Sequence, residues 1–327
     1  MDDRDTKSES PLVSVIVPTY ARPTLLQNAL KSVNAQTYSL LEIVVVDDNG
    51  RGTPLQLETQ RTADSMSFRE DIVLSYVVRE KNGGGAMARN SGIEAARGAY
   101  VAFLDDDDEW MPEKLEKQVA AMEGHEEVGL SYAHCKAELG DGSEVFYRRT
   151  VNGNALFEQA ICGCIAATSQ WVARREALLR VGSFSDSPSK QDSILLYKLL
   201  LAGYEVRCVP EVLSIYDQHS QGRISTSGKT LIGERNYSEL IRSTYDRFTK
   251  GQRRQIEGAI RYRLGRLLWL GDSRGKGAAQ LVSSMAISPL HFMRRVFGTD
   301  YTREAPAEHE QHPDAENPER EKGGSNA

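Results

Sequence analysis

Four short apolar runs, rich in β-branched residues, lie within the first 104 residues of the chain. They read LVSVIV, EIVVVD, VLSYVV and YVAFL, at residues 12–17, 42–47, 73–78 and 100–104. Strands that are apolar on both faces are typical of parallel sheets, because the connecting helices cover both faces. Helical periodicity at residues 23–36 and 86–97 supplies two such connections. We therefore predict an α/β fold with a mostly parallel central sheet flanked by helices.

The later part of the chain changes character after a second set of α/β elements. We predict strands at residues 129–133 and 205–209 and a helix at 192–202, followed by basic helical patterns at 231–270 and an amphipathic stretch at 277–297 interrupted at Pro289. These changes predict four segments. They are a disordered N-terminus at 1–10, the α/β domain at 11–225, a basic helical C-terminal extension at 226–300 and a disordered acidic tail at 301–327.

The net charge of the whole chain argues against nucleic acid as a partner. The 327 residues carry a formal net charge of -6, whereas a general polyphosphate partner usually requires a positive field. Charge is unevenly distributed, however, because residues 242–295 hold 12 Lys or Arg and 3 Asp or Glu. The tail from residue 301 holds 7 acids and 3 bases.

The basic extension has two interpretations. One is a basic amphipathic surface for anionic lipid head groups, formed by Arg253, Arg254, Arg261, Arg263 and Arg266 with Leu264, Leu267, Leu268 and Trp269. The other is a helical cap on the α/β domain or a dimer contact. Peripheral membrane contact is thus one expectation for these helices.

Cysteine usage and the N-terminus indicate a cytoplasmic protein. The four cysteines lie in or beside apolar runs and lack the paired CxxC spacing of a zinc site. The N-terminal MDDRDTKSES contains no apolar signal region, and no uninterrupted apolar run reaches transmembrane length. We expect a soluble protein, or one attached peripherally to the inner face of the membrane.

Acidic residues follow three of the four predicted strands of the sheet. Asp47 and Asp48 follow the second strand, Glu80 follows the third, and the run from Asp105 to Asp108 follows the fourth. Ligands bind α/β sheets at the carboxyl ends of the strands. Clustered carboxylates at that edge repel one another and are costly to desolvate, and a divalent cation removes both difficulties.

The four consecutive aspartates therefore predict a metal site. In the Asp-x-Asp pattern, Asp105 and Asp107 can share one Mn²⁺ or Mg²⁺ directly or through water. The alternative is that the acids, Asp108 above all, favour the start of the helix expected after Pro112.

The glycine-rich run NGGGAMARNSG at residues 82–92 loosely matches the dinucleotide fingerprint G-x-G-x-x-A. It follows the third strand rather than opening the first βαβ unit, so we expect its glycines to let the backbone pass close to a ligand. Arg89, just inside the helix, can donate two parallel hydrogen bonds to a phosphate or carboxylate. A structural pairing of Arg89 with Asp47 or Asp105 is an equal alternative.

Five motifs occur in order: VSVIVPTYAR, EIVVVDDNG, NGGGAMARNSG, VAFLDDDDEW and QDSILLYKLLLAGYEV. Together they resemble family 2 of the inverting glycosyltransferases, which have the GT-A fold, over residues 11–220. The resemblance implies a nucleotide diphosphate sugar donor, with UDP-sugar the first expectation, a saccharide or lipid-linked acceptor, and a role in surface polysaccharide or glycan biosynthesis.

The resemblance also implies roles for particular residues. Pro18, Thr19, Tyr20 and Arg22 would border the donor nucleotide, and Asp47 or Asp48 would contact the base. Arg89 would lie near the base or diphosphate, and residues 105–107 would bind ribose and metal, with Asp106 supporting the donor site.

Asp192 is the predicted catalytic base. The family usually has Glu-Asp at this position, where this chain has Gln191-Asp192, so the charge beside the base is missing. The alternative is a helix N-terminal acid that interacts with the helix dipole. His219 is a further candidate metal ligand, although a lone histidine is more often a surface or packing residue.

Two other functions stay open from the sequence. A sugar nucleotidyltransferase would share the nucleotide-binding sheet, but PTYARPTLL lacks the glycines of a triphosphate-binding loop. A non-catalytic nucleotide-sugar-binding relative would retain binding without transfer, and Gln191 is the one sequence feature that supports it.

Overall fold

The computed structural model describes residues 10–139, 143–217, 229–271, 273–298 and 302–304. Within these ranges the strands are β1 Val13–Thr19, β2 Leu41–Asp47, β3 Ile72–Val78, β4 Tyr100–Phe103, β5 Asp108–Trp110, β6 Val128–Glu138, β7 Glu144–Tyr147, β8 Trp171–Arg174, β9 Glu205–Asp217 and β10 Thr302–Glu304. The α-helices are α1 Pro23–Asn34, α2 Pro54–Asp64, α3 Gly85–Ala95, α4 Lys114–Ala120, α5 Leu156–Cys162, α6 Arg175–Arg180, α7 Gln191–Leu201, α8 Lys229–Ser243, α9 Lys250–Leu270, α10 Arg274–Ile287 and α11 Pro289–Phe297.

The four strands predicted first form a parallel unit in the order β3-β2-β1-β4. Beyond β4 the sheet is mixed, because β8 pairs antiparallel with both β4 and β6, and β7 pairs antiparallel with β6. The long strand β9 runs parallel to β6 and antiparallel to β5. The predicted α/β fold is therefore confirmed, but the sheet is mixed rather than mostly parallel. Its second half is built largely on antiparallel pairing, with the parallel pair β6 and β9 as the exception.

Both faces of β1, β2 and β4 are buried, as the near-continuous apolar runs predicted, whereas β3 is buried only at Ile72. Along β1, Val15 and Val17 pack into one core cluster, whereas Ile16 between them packs into the other. Helix α1 covers the first face, and α3 and α7 cover the second. At Gly92 of α3 an added Cβ would lie 2.4 Å from Cγ2 of Ile16. The glycine therefore allows α3 to approach the sheet closely.

The C-terminal extension packs on the domain through its first two helices. Tyr237 and Ile241 of α8 and Ile256 and Ile260 of α9 share a core cluster with Tyr197 of α7. Helix α10 lies on another side of α9, where glycines permit close contact. Helix α9 is thus a central element of the extension.

This packing overturns part of the predicted lipid surface. Arg263 is largely buried, and its Nε donates to Oε1 of the buried Glu234 at 2.6 Å. Arg261 pairs with Glu257 at 2.9 Å, and Leu264 packs against the cluster shared with α8. These side chains do not form a lipid-facing surface, because the extension folds around α9.

Two predicted disordered segments lie mostly outside the described residues. Within the C-terminal one, Thr302–Glu304 forms β10, which pairs antiparallel with β7. Among the described residues, no helix combines the length and the apolar character that crossing a membrane requires.

Lys114 is a fully buried lysine beneath the sheet edge. Its Nζ has no hydrogen-bond partner within the described part of the chain and lies 4.0 Å from the ring centroid of Trp110. The ring face attracts a cation, but burial disfavours the charge and lowers the pKa of Lys114 well below its usual range. Protonation of Lys114 is therefore less favourable in the folded protein than in the unfolded chain.

We expect Lys114→Met to raise the melting temperature at pH 7 more than at pH 9. Unfolded chains hold a lysine with a pKa of about 10.4, so they bind the extra proton, and wild-type stability falls as the pH drops below that value. The slope from this residue is about 1.4 kcal/mol per pH unit while the folded amine stays neutral. Thermal melts at both pH values test this. Lys31→Met, at an exposed position of α1, is the control, and an equal pH-dependent gain there would contradict the assignment to burial.

Candidate functional site

The carboxyl ends of β1, β2 and β4 meet at one edge of the sheet. Thr19 at the end of β1 is in register with Asp47 at the end of β2, and the Leu104 amide after β4 donates to the Ile16 carbonyl at 3.0 Å. This register brings residues 18–22, 47–50 and 105–108 together, as the sequence predicted from the strand ends.

Asp106 contacts the end of β1 and the loop that follows it. Its buried carboxylate accepts a hydrogen bond from Thr19 Oγ1 at 2.8 Å and lies 3.3 Å from an Nη of Arg22. Burial raises the pKa of the Asp106 carboxyl to about 7, although Arg22 and Thr19 oppose the rise. Asp106 therefore supports the loop after β1 from beneath.

Oxygens of Asp105, Asp107 and Asp108 lie within 4.8 Å of one another. Three carboxylates at this spacing suit Mg²⁺ or Mn²⁺, which prefer oxygen ligands. Asp108 does not start a helix, as the alternative interpretation expected, because it opens β5 and α4 begins only at Lys114. Its place in β5 directs it into the acidic cluster instead.

Two arginines form ion pairs with this cluster. Arg22 makes an ion pair with Asp107, and Arg89 makes one with Asp105. The partner of Arg89, which the sequence left open, is thus Asp105. The Arg89 guanidinium also lies 5.6 Å from the ring centroid of Phe184, and its buried Nε has no hydrogen-bond partner among the described residues.

The glycine-rich loop binds a carboxylate of the protein. Asp48 accepts hydrogen bonds from the amides of Gly83 at 3.0 Å and Gly84 at 2.8 Å, and from Arg79 at 2.6 Å. Gly84 has φ of +81°, a conformation that favours glycine. These glycines therefore bring the backbone onto Asp48, and Arg79 is a partner that sequence reasoning missed.

Both carboxylate oxygens of Asp47 also accept hydrogen bonds from the protein. Its carboxylate accepts from the Asn49 amide and side chain, both at 2.8 Å, and from Tyr76 Oη at 2.5 Å. Asn49 in turn accepts from the Ala21 amide at 2.7 Å, across to the loop after β1. Asn49 belongs to the quoted EIVVVDDNG motif, but its bridging role was not predicted.

The loop after β1 leaves parts of its surface open. Tyr20 is 52% exposed and Pro18 is half-buried, whereas Thr19 is buried against Asp106. Ala21 has φ of +57°, an uncommon conformation for a residue with a Cβ, and its amide bond to Asn49 holds it there. The strained turn aims Arg22 at the aspartates.

Asp192 lies in the first turn of α7. Its Oδ1 accepts from the Ser193 amide at 2.6 Å, and the Cys164 thiol lies 3.5 Å from Oδ2. Burial, reinforced by the charge of Asp192, raises the pKa of Cys164 well above its usual range. The thiol proton has two acceptors within reach, the Asp192 carboxylate at 3.5 Å and the Ala166 carbonyl at 3.3 Å. Cys164 was not predicted as a site residue.

The Gln191 side chain has a structural role that a glutamate could not fill. Its Nε2 donates to the Ser187 carbonyl at 2.8 Å, and a carboxylate has no proton to donate there. Gln191 thereby ties the start of α7 to the preceding loop.

One loop, residues 163–170, contacts both the three-aspartate cluster and Asp192. Ser169 Oγ accepts from the Asp105 amide at 3.1 Å, and Cys164 at the other end of the loop contacts Asp192. Trp171 just after this loop is fully buried, and Trp110 is buried with its Nε1 donating to the Ser169 carbonyl. Both tryptophans therefore pack in the core. His219 lies outside the described residues.

Comparisons with known proteins agree with this geometry. A family model described as glycosyl transferase family 2 matches residues 14–180. The putative teichuronic acid biosynthesis glycosyltransferase TuaG of Bacillus subtilis is 40% identical over 114 residues, covering 34% of this chain and 42% of TuaG. The putative colanic acid biosynthesis glycosyl transferase WcaA of Escherichia coli is 26% identical over 279 residues, covering 80% of this chain and 91% of WcaA.

A solved structure has the same fold. The mannosyltransferase PcManGT of Pyrobaculum calidifontis, in complex with GDP-Man and Mn²⁺, aligns with a TM-score of 0.56 and 24% identity. The alignment covers 88% of this chain and 79% of that one. This similarity confirms the predicted GT-A fold.

We expect Arg22→Ala to bind Mn²⁺ about two- to fivefold more tightly than the wild type. A partly exposed ion pair of this kind contributes about 0.2–1 kcal/mol, and Arg22 occupies the carboxylate oxygens that a cation needs. Calorimetric titration with MnCl₂ alone measures the change. Arg51→Ala, which breaks the exposed pair with Glu80, is the control. Weaker Mn²⁺ binding by Arg22→Ala would show that the arginine does not compete with the cation.

Proposed function

Because the chain belongs to glycosyl transferase family 2, we propose that it is an inverting enzyme that transfers a sugar from a nucleoside diphosphate sugar to a hydroxyl acceptor. The observation that carries the proposal is the three-aspartate cluster at the carboxyl ends of the parallel strands. Loop 163–170 contacts both this cluster and the carboxylate of Asp192 at the start of α7. The names of TuaG and WcaA support a role in surface polysaccharide biosynthesis.

The donor nucleotide is proposed to lie along the loop after β1. Pro18 and Tyr20 offer surface for the base and ribose, and the buried Nε of Arg89 offers a hydrogen bond to the donor. On donor binding, the guanidinium groups of Arg22 and Arg89 can exchange their aspartate partners for diphosphate oxygens. Phosphate oxygens accept the same paired N–H hydrogen bonds as a carboxylate. Asp47 and Asp48 are held by the protein on both sides, so any contact with the base uses an oxygen lone pair that remains. We propose a uridine nucleotide as the first choice.

Asp105 and Asp107 are the proposed metal ligands, and the structure adds Asp108 to the set. A bound Mn²⁺ or Mg²⁺ would neutralise the negative charge that develops on the departing nucleoside diphosphate. Asp106 supports these ligands through its buried contact with Thr19. The Mn²⁺ in the complex of PcManGT supports a divalent ion in this fold.

Asp192 is the proposed catalytic base. Its carboxylate would take the proton of the acceptor hydroxyl as that oxygen bonds to the anomeric carbon. The bond from that carbon to the diphosphate breaks on the opposite face, and the nucleoside diphosphate leaves with the electron pair. Hydrogen bonds from Ser193 and Cys164 hold both carboxylate oxygens in place for this step.

Membership of a glycosyltransferase family, whose members transfer sugars rather than nucleotidyl groups, argues against the sugar nucleotidyltransferase that the sequence left open. The structural role of Gln191 also weakens the case for a non-catalytic relative, because the substitution leaves Asp192 and its partners intact.

We expect Asp192→Asn to bind the donor normally but to lose transfer by a factor of about 10²–10⁴, because an amide cannot accept the acceptor's proton. Thermal-shift titration with UDP, GDP and their sugars, with and without Mn²⁺, measures binding, and release of the nucleoside diphosphate over an acceptor panel measures transfer. Asp186→Asn, an exposed aspartate six residues upstream, is the control.

Asp107→Asn should remove the enhancement of nucleotide binding by Mn²⁺ in the same titration. Full transfer by Asp192→Asn would remove Asp192 from the base role. Nucleotide binding that is indifferent to metal, with full activity of Asp107→Asn, would remove the metal assignment. Binding without turnover in the wild type over the whole panel would favour the non-catalytic relative.

Cys164→Ala should lower kcat several-fold and leave donor binding unchanged, because the carboxylate of Asp192 loses one hydrogen bond that orients it. Cys164→Ser restores a donor and should recover most of the rate. Steady-state kinetics separate the effects, since a merely structural role would lower stability in both variants without this recovery.

A further inference from the structure

The last two helices of the extension expose an apolar face. Seven of the fifteen exposed large apolar side chains among the described residues fall between residues 269 and 296. On α10 and α11 they are Val282, Met285, Leu290, Met293 and Val296, with exposures from 47% to 79%. We call these five residues the outer face. Within each helix these side chains recur every three residues and so lie on one side of it, and a concentration of exposed large apolar side chains marks a contact site for another molecule.

The surroundings of the outer face are basic. Residues 273–298 contain Arg274, Lys276, Arg294 and Arg295 and no Asp or Glu. Arg294 is exposed beside Met293, and none of the ion pairs among the described residues involves Arg274, Lys276 or Arg294. An apolar face with basic residues and no acid complements a surface that is both apolar and anionic.

The opposite faces of α10 and α11 anchor them to the protein. Ser284 Oγ donates to the Gly258 carbonyl of α9 at 2.7 Å, and the rings of Phe292 and Tyr262 pack edge to face at 5.7 Å. An Nη of Arg295 donates to the Ile161 carbonyl of α5 at 3.1 Å. The outer face is therefore turned away from the core by defined contacts.

We propose that the outer face docks the protein on an anionic membrane surface. The five apolar side chains would enter the boundary between head groups and acyl chains, and Arg274, Lys276 and Arg294 would contact lipid phosphates. A second copy of the chain is a poorer occupant, because a two-fold contact would set these basic residues against their own copies. The surface differs from the one predicted on α9, whose Arg263 and Leu264 are packed inside.

The position of the outer face suits a lipid-linked acceptor. This inference rests on the proposed function. Helix α11 contacts the end of α5 through Arg295, and α5 leads directly into the loop whose Cys164 contacts Asp192. Docking would thus bring the Asp192 side of the site close to acceptors held at the membrane surface.

The docking proposal is tested by co-sedimentation of the full chain with vesicles, a measurement that needs no activity. We expect the wild type to bind phosphatidylcholine vesicles containing phosphatidylglycerol at least about tenfold better than vesicles of phosphatidylcholine alone, and added NaCl to weaken that binding. The double variant Leu290→Asp/Met293→Asp should lose binding to both. Arg294→Glu should lose several-fold on the anionic vesicles only.

Leu57→Asp/Leu179→Asp, which changes two comparably exposed leucines on α2 and α6, is the matched control and should bind like the wild type. Thermal melts and the nucleotide thermal shift establish that each variant is folded with an intact donor site. Absence of binding by the wild type, equal binding to both vesicles, or equal loss in the control variant would overturn the proposal. A wild type that instead self-associates, and becomes monomeric on Leu290→Asp/Met293→Asp, would identify the face as a contact between copies.

Discussion

The parallel pairing of β1 with both β2 and β4 is the constraint on which the site depends. Parallel strands end at the same edge of the sheet, so the register of Thr19 with Asp47 also fixes where the acids after β4 emerge. Both faces of these strands are buried, and a slip of one residue would exchange the two core clusters. The hydrophobic core thereby sets the position of the carboxylates to within one residue.

The concentration of acid at this edge is compensated in three ways. Asp106 is buried and held by Thr19, Asp105 and Asp107 pair with Arg89 and Arg22, and Asp48 is held by the amides of the glycine-rich loop. In the proposed function, only the second kind of compensation would be exchanged for a cation and a diphosphate, because those two guanidinium groups pair with the proposed metal ligands. The protein thus keeps a stable acidic site and a replaceable set of partners for it.

Much of the fold and part of the site could be predicted from the chain itself. The apolar runs gave the first four strands within about two residues, and the strand ends indicated Asp105 and Asp107 correctly as members of one acidic cluster. Asp108 was misjudged because a short strand of three residues, β5, has no periodicity to detect and owes its existence to pairing with β9. Cys164 was missed as a partner of Asp192 because it lies 28 residues away in the chain and only tertiary contacts bring the two together.

The sequence by itself determined the α/β class, which strands along the chain end in acidic residues, and the residues that start α7. Local hydrophobic period and strand-end position are properties of short segments, so they can be detected without knowing what packs against them. Only the tertiary structure decided which carboxylates lie together in one cluster, which arginines pair with them, and which helices of the basic extension stay exposed. Arg263 and Arg294 look alike in the chain, yet one pairs with a buried glutamate and the other lies on the outer surface. Burial and pairing are set by residues distant in sequence, and those arise only when the chain has folded.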